Sequence, residues 1–397
     1  MYVADNASKV ISVLRNRGFK AYVVGGCVRD SLLGLTPSDW DICTSALPDE
    51  IIDSFPDYKI ITTGIKHGTV TVIIDKSPIE ITTFRGDGSY SDSRHPDSVE
   101  FYPKVERDLA RRDFTINAMA YSHEDGLIDL YNGENDLNDK IIRCVGEPKR
   151  RFDEDALRIL RALRFAAVYN LKIEEKTAEA IHLSKDNLAH ISGERIQNEL
   201  FKFVSSPYCH QLIMEYRDVF SSALGVSCYG RSNASLSQLP HNIYIRLFGF
   251  IYILFNGSNQ DLCSFCSEIL KRLKVSRQIS KNVLTFATLF NTPVPETLAE
   301  TRRIVGETGL ALYKDFLMLY EHFTKEDCSL SGRYIREIEE NNLCCSLSQL
   351  DLKGRDILEL NMVQDKDIGI LLKKALDMVI DQNLPNEKNV ILENLFV

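Results

Sequence analysis

The chain has 397 residues, with 47 lysines and arginines against 56 aspartates and glutamates and a formal net charge of -9. That length predicts about two to four domains, and the acidic balance excludes indiscriminate nucleic-acid binding while leaving room for a local basic patch. The 10 scattered cysteines, behind a polar N-terminus with no apolar signal core, predict reduced thiols in the cytoplasm, and the longest apolar run, Leu247 to Phe255, is too short to span a bilayer.

In chain order, Asn6 to Arg17 carries helical periodicity and Gly18 stands in the helix-ending position. Ala21 to Val24 reads as a short apolar strand. Gly25 and Gly26 follow, letting the backbone approach a phosphate where a helix beginning near Val28 exposes its free N–H groups. Arg29 is placed to touch the same anion. Asp39 and Asp41 flank Trp40, and on a strand alternate side chains share a face, so both carboxylates point one way and Trp40 packs the other way. Such a pair can hold two magnesium ions against nucleotide phosphates, which points to phosphoryl transfer. Gly68 to Phe84 reads as a β-hairpin whose second strand turns Glu80 away from Ile79 and Ile81, adding a third carboxylate. Short β-like runs continue to Val145. After Gly146 strand-like alternation stops and apolar residues recur at three and four spacing to the end, an α+β arrangement with an αβ head on an all-helical remainder.

A basic run, Lys149, Arg150, Arg151, Arg158, Arg161 and Arg164, reads equally as a phosphate-facing patch or as a solvated helix face paired to Glu154 and Asp155. Cys263 and Cys266 form a lone C-x-x-C without a second pair or nearby histidines, which favours buried packing over zinc. His241 is followed by Asn242, so the body lacks a His-Asp pair of the phosphohydrolase type.

The GG, RD and LG spacing before Asp39 and Asp41, then Glu80, then RRDFTINAMAY at Arg111 to Tyr121, resembles the class II tRNA nucleotidyltransferase and bacterial poly(A) polymerase family. RFDEDALRILRALRF at Arg151 to Phe165 resembles that family's nucleobase-reading helix, and GERIQNELFK at Gly193 to Lys202 its following helical motif. Within the family, DWDICTSALP and the intact segment after Phe84 are more similar to the CCA-adding enzymes. The resemblance implies a polymerase-beta-like head at 1–145, a helical neck at 146–207, a body at 208–295 and a tRNA-holding tail at 296–397. It also implies Mg2+ on Asp39 and Asp41 with Glu80 beside them, CTP and ATP as substrates, and the 3′ end of tRNA as acceptor. Gly26, Arg29, Arg112 and Asn117 are expected to contact the nucleotide, with Asp155, Arg158, Arg161 and Arg164 at its base.

Asp155 and Arg158 are three apart, so on one helix they share a face and offer an acceptor beside a forked donor. Cytosine and adenine each present an amino donor beside a ring-nitrogen acceptor, whereas uracil and guanine present a carbonyl beside a ring N–H. The pair therefore accepts C and A and rejects U and G without a nucleic-acid template. Residues 86–99, rich in glycine, serine and aspartate, are expected to serve the A step. The enzymatic alternatives are a poly(A) polymerase or a partial CC-adding or A-adding enzyme; from another class, a non-catalytic RNA-binding relative.

Overall fold

The computed structural model describes residues 1–87, 99–230, 235–255, 257, 261–359 and 367–396, so most of the segment expected to serve the A step lies outside the described residues. The chain divides into two compact units, Met1–Cys228 with Arg272–Lys274, and Tyr229–Lys271 with Val275–Val397. The expected boundaries at 145 and 207 both fall inside the first.

The first unit opens with α1 (Asp5–Asn16), which buries Ala7, Val10, Ile11 and Leu14 and ends at Gly18, whose φ of 88° only glycine adopts freely. The chain then lays down β1 (Ala21–Val24), α2 (Gly26–Leu32), β2 (Asp41–Thr44), α3 (Pro48–Ser54), β3 (Lys59–Ile61), β4 (Thr69–Ile74) and β5 (Ser77–Thr83). A short antiparallel ribbon follows, β6 (Arg85–Asp87) with β7 (Val99–Phe101), then α4 (Val105–Ala110), β8 (Met119–Ser122), β9 (Gly126–Asp129) and α5 (Gly133–Asn138). The main sheet runs β3-β4-β5-β2-β1-β8-β9, with β2 and β5 parallel and its other neighbours antiparallel.

The expected hairpin is β4–β5. Its two-residue turn, Asp75–Lys76, has positive φ at both positions, the twist that matches a tight hairpin. The sheet buries Val23, Ile42, Val70, Val72, Ile79 and Ile81 beneath α1 and α3. Its opposite face packs Tyr22, Val24, Cys43 and Ala120 against Val105 and Leu109 of α4.

Beyond α5 come β10 (Ile141–Ile142), α6 (Pro148–Glu154), α7 (Leu157–Tyr169), β11 (Lys172–Ile173), α8 (Glu175–Ser184), α9 (Gly193–Val204), α10 (Cys209–Glu215) and α11 (Arg217–Leu224). The expectation of no strand after Gly146 is corrected by β11, which pairs in parallel with β10. Two residues are too few to show an alternation.

Among the described residues the second unit's regular elements are all helices: α12 (Ile243–Leu254), α13 (Leu262–Arg272, whose last residue belongs to the first unit), α14 (Arg277–Phe290), α15 (Leu298–Thr308), α16 (Leu310–Thr324), α17 (Ser329–Glu340), α18 (Gly354–Leu358), α19 (Ile368–Asp381) and α20 (Lys388–Leu395). Asn242 accepts from the Tyr244 amide and caps α12. Aromatic rings fill its centre, Tyr252 standing 4.9 Å from Phe290 and 4.8 Å from Phe323. Cys266 is fully buried there. Arg302, also buried, donates to the carbonyls of Cys344, Val379 and Ile380, so its charge meets the C-terminal end of α19. Among the described residues no helix is long and apolar enough to cross a membrane.

Candidate active site

The parallel register of β2 and β5 sets Asp41 directly opposite Glu80. Both side chains, and that of Asp39, are exposed, while Trp40, Ile42, Ile79 and Ile81 are buried beneath them. Asp39 does not lie on the strand as expected. β1 ends at Val24 and turns away at Gly25, which leaves no ladder partner ahead of Ile42 on that side, so β2 begins only at Asp41. Asp41 nonetheless feels the other two carboxylates. Asp41 reaches solvent but is hemmed in by protein, and this burial, together with Asp39 and Glu80, pushes its carboxyl up to about 6; Arg112 offsets part of the rise. Among the described residues no three acidic, histidine or cysteine groups close around a point as a complete metal cage. The acidic residues form an open floor instead, and its excess negative charge fits a divalent cation that takes its remaining ligands from phosphate oxygens.

Beside this floor lies the glycine turn. Gly25 has φ 79° and ψ -122°, open only to glycine, and an added Cβ would stand 2.6 Å from Nη1 of Arg112. α2 starts at Gly26 rather than near Val28. Arg112 is held by Asp108 on α4, donating from Nε and Nη2 to Oδ2 at 3.3 and 3.1 Å, while Arg111 donates to Oδ1 at 2.8 Å. Burial alone would raise the Asp108 carboxyl, but the two guanidiniums outweigh it and hold it below the ordinary carboxylate range.

Arg29 and Asn117 depart from expectation. Both are buried, 5% and 6% exposed, and face protein rather than open space. Arg29 Nη1 donates to Asn117 Oδ1 at 2.6 Å, its other donors reach Asp30 and the Tyr169 hydroxyl, and α7 covers it with Phe165 and Tyr169. Asn117 Nδ2 donates in turn to Asp113 at 3.1 Å. Their polar groups brace the glycine turn against α7 and Asp113 from within.

A cleft of about 300 Å³ brings together Arg111, Arg112, Asp113, Asp155, Arg158 and Arg161. Arg195 lines it too. Here a second expectation is corrected: Asp155 and Arg158 do not share a helix. α6 stops at Glu154, Asp155 is extended at φ -152° and ψ 103°, and its Oδ1 accepts from the Leu157 amide at 3.1 Å where α7 begins. Its Oδ2 is held by Arg195 at 2.8 Å. Arg158 is oriented by Glu154 at 2.7 Å and by the Arg151 carbonyl at 3.1 Å. The two side chains thus reach one cleft from either side of a helix junction.

Arg161 lines the cleft with its Nη2 2.6 Å from Asp113. Burial pulls the Asp113 carboxyl up, but Arg161 and the Asn117 amide leave it well below its ordinary value. Arg164 does not line the cleft. It pairs with Glu199 at 2.6 Å and lies 4.0 Å from the Phe165 ring centre. Asp108, Arg195, Glu199 and Tyr169 were not singled out in the sequence; Asp108 precedes Arg111 and Arg112 at helical spacing, and Arg195 and Glu199 both lie within GERIQNELFK, so three of the four had a signal. A larger cavity, about 810 Å³, opens beside β10, β11 and α10, and none of the expected site residues lines it.

The acidic strand pair, glycine turn and arginine-lined cleft define a nucleotidyltransferase. Residues 21–143 match the Poly A polymerase head domain, residues 170–219 the "Probable RNA and SrmB- binding site of polymerase A", and residues 251–395 tRNA nucleotidyltransferase domain 2. The chain belongs to the family of CCA-adding enzymes: it is 34% identical to the CCA-adding enzyme of Lactobacillus helveticus over 97% of this chain and 95% of that protein. The enzyme of Oceanobacillus iheyensis is 32% identical over 98% of this chain and 96% of its own length. Among solved structures, the Bacillus stearothermophilus CCA-adding enzyme in complex with CTP superposes with a TM-score of 0.79 at 28% identity, covering 98% of this chain and 96% of that one.

Proposed function

We propose that this protein adds C, C and A to the 3′ end of tRNA from CTP and ATP, in the cytoplasm and without a nucleic-acid template. The observation that carries the reading is Asp41 facing Glu80 across parallel strands, on an open acidic floor within the same compact unit as a cleft that holds Asp155, Arg158 and Arg161. Asp39 and Asp41, with Glu80 beside them, would hold Mg2+. When bound, it would lower the pKa of the RNA terminal hydroxyl and neutralise charge on the departing pyrophosphate.

The rest is the work of the chain itself. The Gly25–Gly26 turn lets backbone approach the outer phosphates, and Arg112, fixed by Asp108, supplies positive charge between turn and floor. Asp155 and Arg158 receive the base edge, with Arg161 beside them. Arg164, Arg29 and Asn117 stand behind these groups and orient them. By this reading 1–145 performs the transfer, 146–207 reads the base, 208–295 forms the helical body, and 296–397 holds the tRNA.

The test supplies tRNAs ending before CCA, after C and after CC, with each labelled nucleotide in turn, and reads product lengths. Complete CCA from all three supports the proposal. Products stopping at CC, adding only A, or growing into A tracts would instead establish a CC-adding enzyme, an A-adding enzyme or a poly(A) polymerase.

A further inference from the structure

Arg29 is a buried junction between the glycine turn and the base-reading helix. Its Nε and Nη2 donate to Asp30 Oδ1 at 2.9 and 2.8 Å, Nη2 also reaches the Tyr169 hydroxyl at 2.6 Å, and Nη1 donates to Asn117. The Tyr169 hydroxyl donates onward to Asp30 Oδ1 at 2.8 Å, and its ring centre lies 4.5 Å from the guanidinium. From Asn117 the path runs through Asp113 to Arg161 in the cleft. Phe165 completes the circuit, because Arg29, Arg161 and Arg164 all stand over its ring at 5.0, 5.4 and 4.0 Å. α7 thus carries Arg158 and Arg161 toward the cleft and returns through its last residue, Tyr169, to the helix that begins at Gly26.

A phenylalanine at 169 would fill nearly the same space. Burying a hydroxyl there costs free energy that only its bonds to Arg29 and Asp30 offset. We propose that Tyr169 is a positioning residue which, through Arg29, fixes the separation between the phosphate-receiving turn and the base-reading arginines, so that both ends of one nucleotide are received at once. The inference rests on the nucleotidyltransferase reading above. A ligand gripped at two ends gains affinity from a separation set in advance, whereas a ligand occupying one end gains nothing from it.

The test is steady-state kinetics of the full-length Tyr169→Phe protein with CTP and ATP on matched tRNAs. Loss of one charge-assisted hydrogen bond predicts a rise of about 3- to 10-fold in KM for both nucleotides. KM for tRNA, the melting temperature and the inhibition constant of inorganic tripolyphosphate should stay at wild-type values. In an Arg29→Lys background the same substitution should add nothing further, since the hydroxyl acts through the guanidinium. If Arg29→Lys fails to fold, the contrast between nucleotide and tripolyphosphate in Tyr169→Phe alone decides. Unchanged nucleotide KM, a fall in melting temperature without a KM change, or equal weakening of tripolyphosphate would overturn the inference. A wild-type protein that adds no nucleotide would instead overturn the reading on which it rests.

Discussion

Asp41 and Glu80 are direct neighbours across two parallel strands, and like charges held side by side by backbone register cannot move apart without breaking the sheet. The floor therefore carries built-in repulsion at neutral pH. Asp41→Asn should abolish nucleotide addition yet stabilise the metal-free protein by about 1 kcal/mol, after discounting the shift for solvent screening. Thermal melts in chelator, beside an addition assay in Mg2+, check both halves; a destabilised Asp41→Asn protein would contradict the repulsion argument.

The pH dependence has a fixed sign. A carboxyl whose folded value is raised to about 6 opposes folding when ionised, so its penalty is absent below the ordinary carboxylate range near about 4, grows as pH rises, and is complete above about 6. The stability advantage of Asp41→Asn over wild type in chelator should follow that course and then level. Melting both proteins from pH 4 to 8 gives the curve, and a difference independent of pH would assign the effect to packing.

Gly25→Ala should cost more than about 2 kcal/mol, because positive φ strains any L side chain and the new Cβ meets Arg112. Displacing that guanidinium should also raise KM for CTP and ATP together. Denaturant titration and steady-state kinetics measure the two effects, and Gly18→Ala is the control: φ is again positive at 88°, but nothing lies within 4 Å of an added Cβ.

Asp155 can be dissected because it has two jobs. Asp155→Asn keeps an acceptor for the Leu157 amide but loses the charge facing Arg195, whereas Asp155→Ala loses both, with about 1 kcal/mol of helix-start stability at stake. Both should admit UTP at C positions, on the order of 1 to 3 kcal/mol of lost discrimination. Comparing kcat/KM for CTP, ATP, UTP and GTP tests this. Unchanged selectivity in both variants would transfer base reading to Arg161.

The hairpin, the glycine turn and the acidic pair were legible because each depends on local periodicity or on a residue type that nothing else can replace. The junction at Asp155 was not. DEDALRILRALRF keeps helical spacing without a break in the sequence, and what interrupts the helix is a carboxylate bonding two residues ahead and an arginine 40 residues away. The burial of Arg29 was hidden for a similar reason: its position after the glycines suggests an anion, while the aromatic cover arrives from 140 residues downstream.

The smallest sheet among the described residues sets how the chain can be taken apart. Ile141 and Ile142 pair with Lys172 and Ile173, Lys172 and Glu174 donate back to the carbonyls of Lys140 and Ile142, and Arg143 bridges Asp136 and Glu174. A fragment ending at residue 145 would strip β10 of its partner and leave those carbonyls and Asp136 beside a cut edge. Chimaeras between relatives that exchange specificity should accordingly be joined after Cys228, carrying the transfer floor and the base-reading cleft as a single inherited piece.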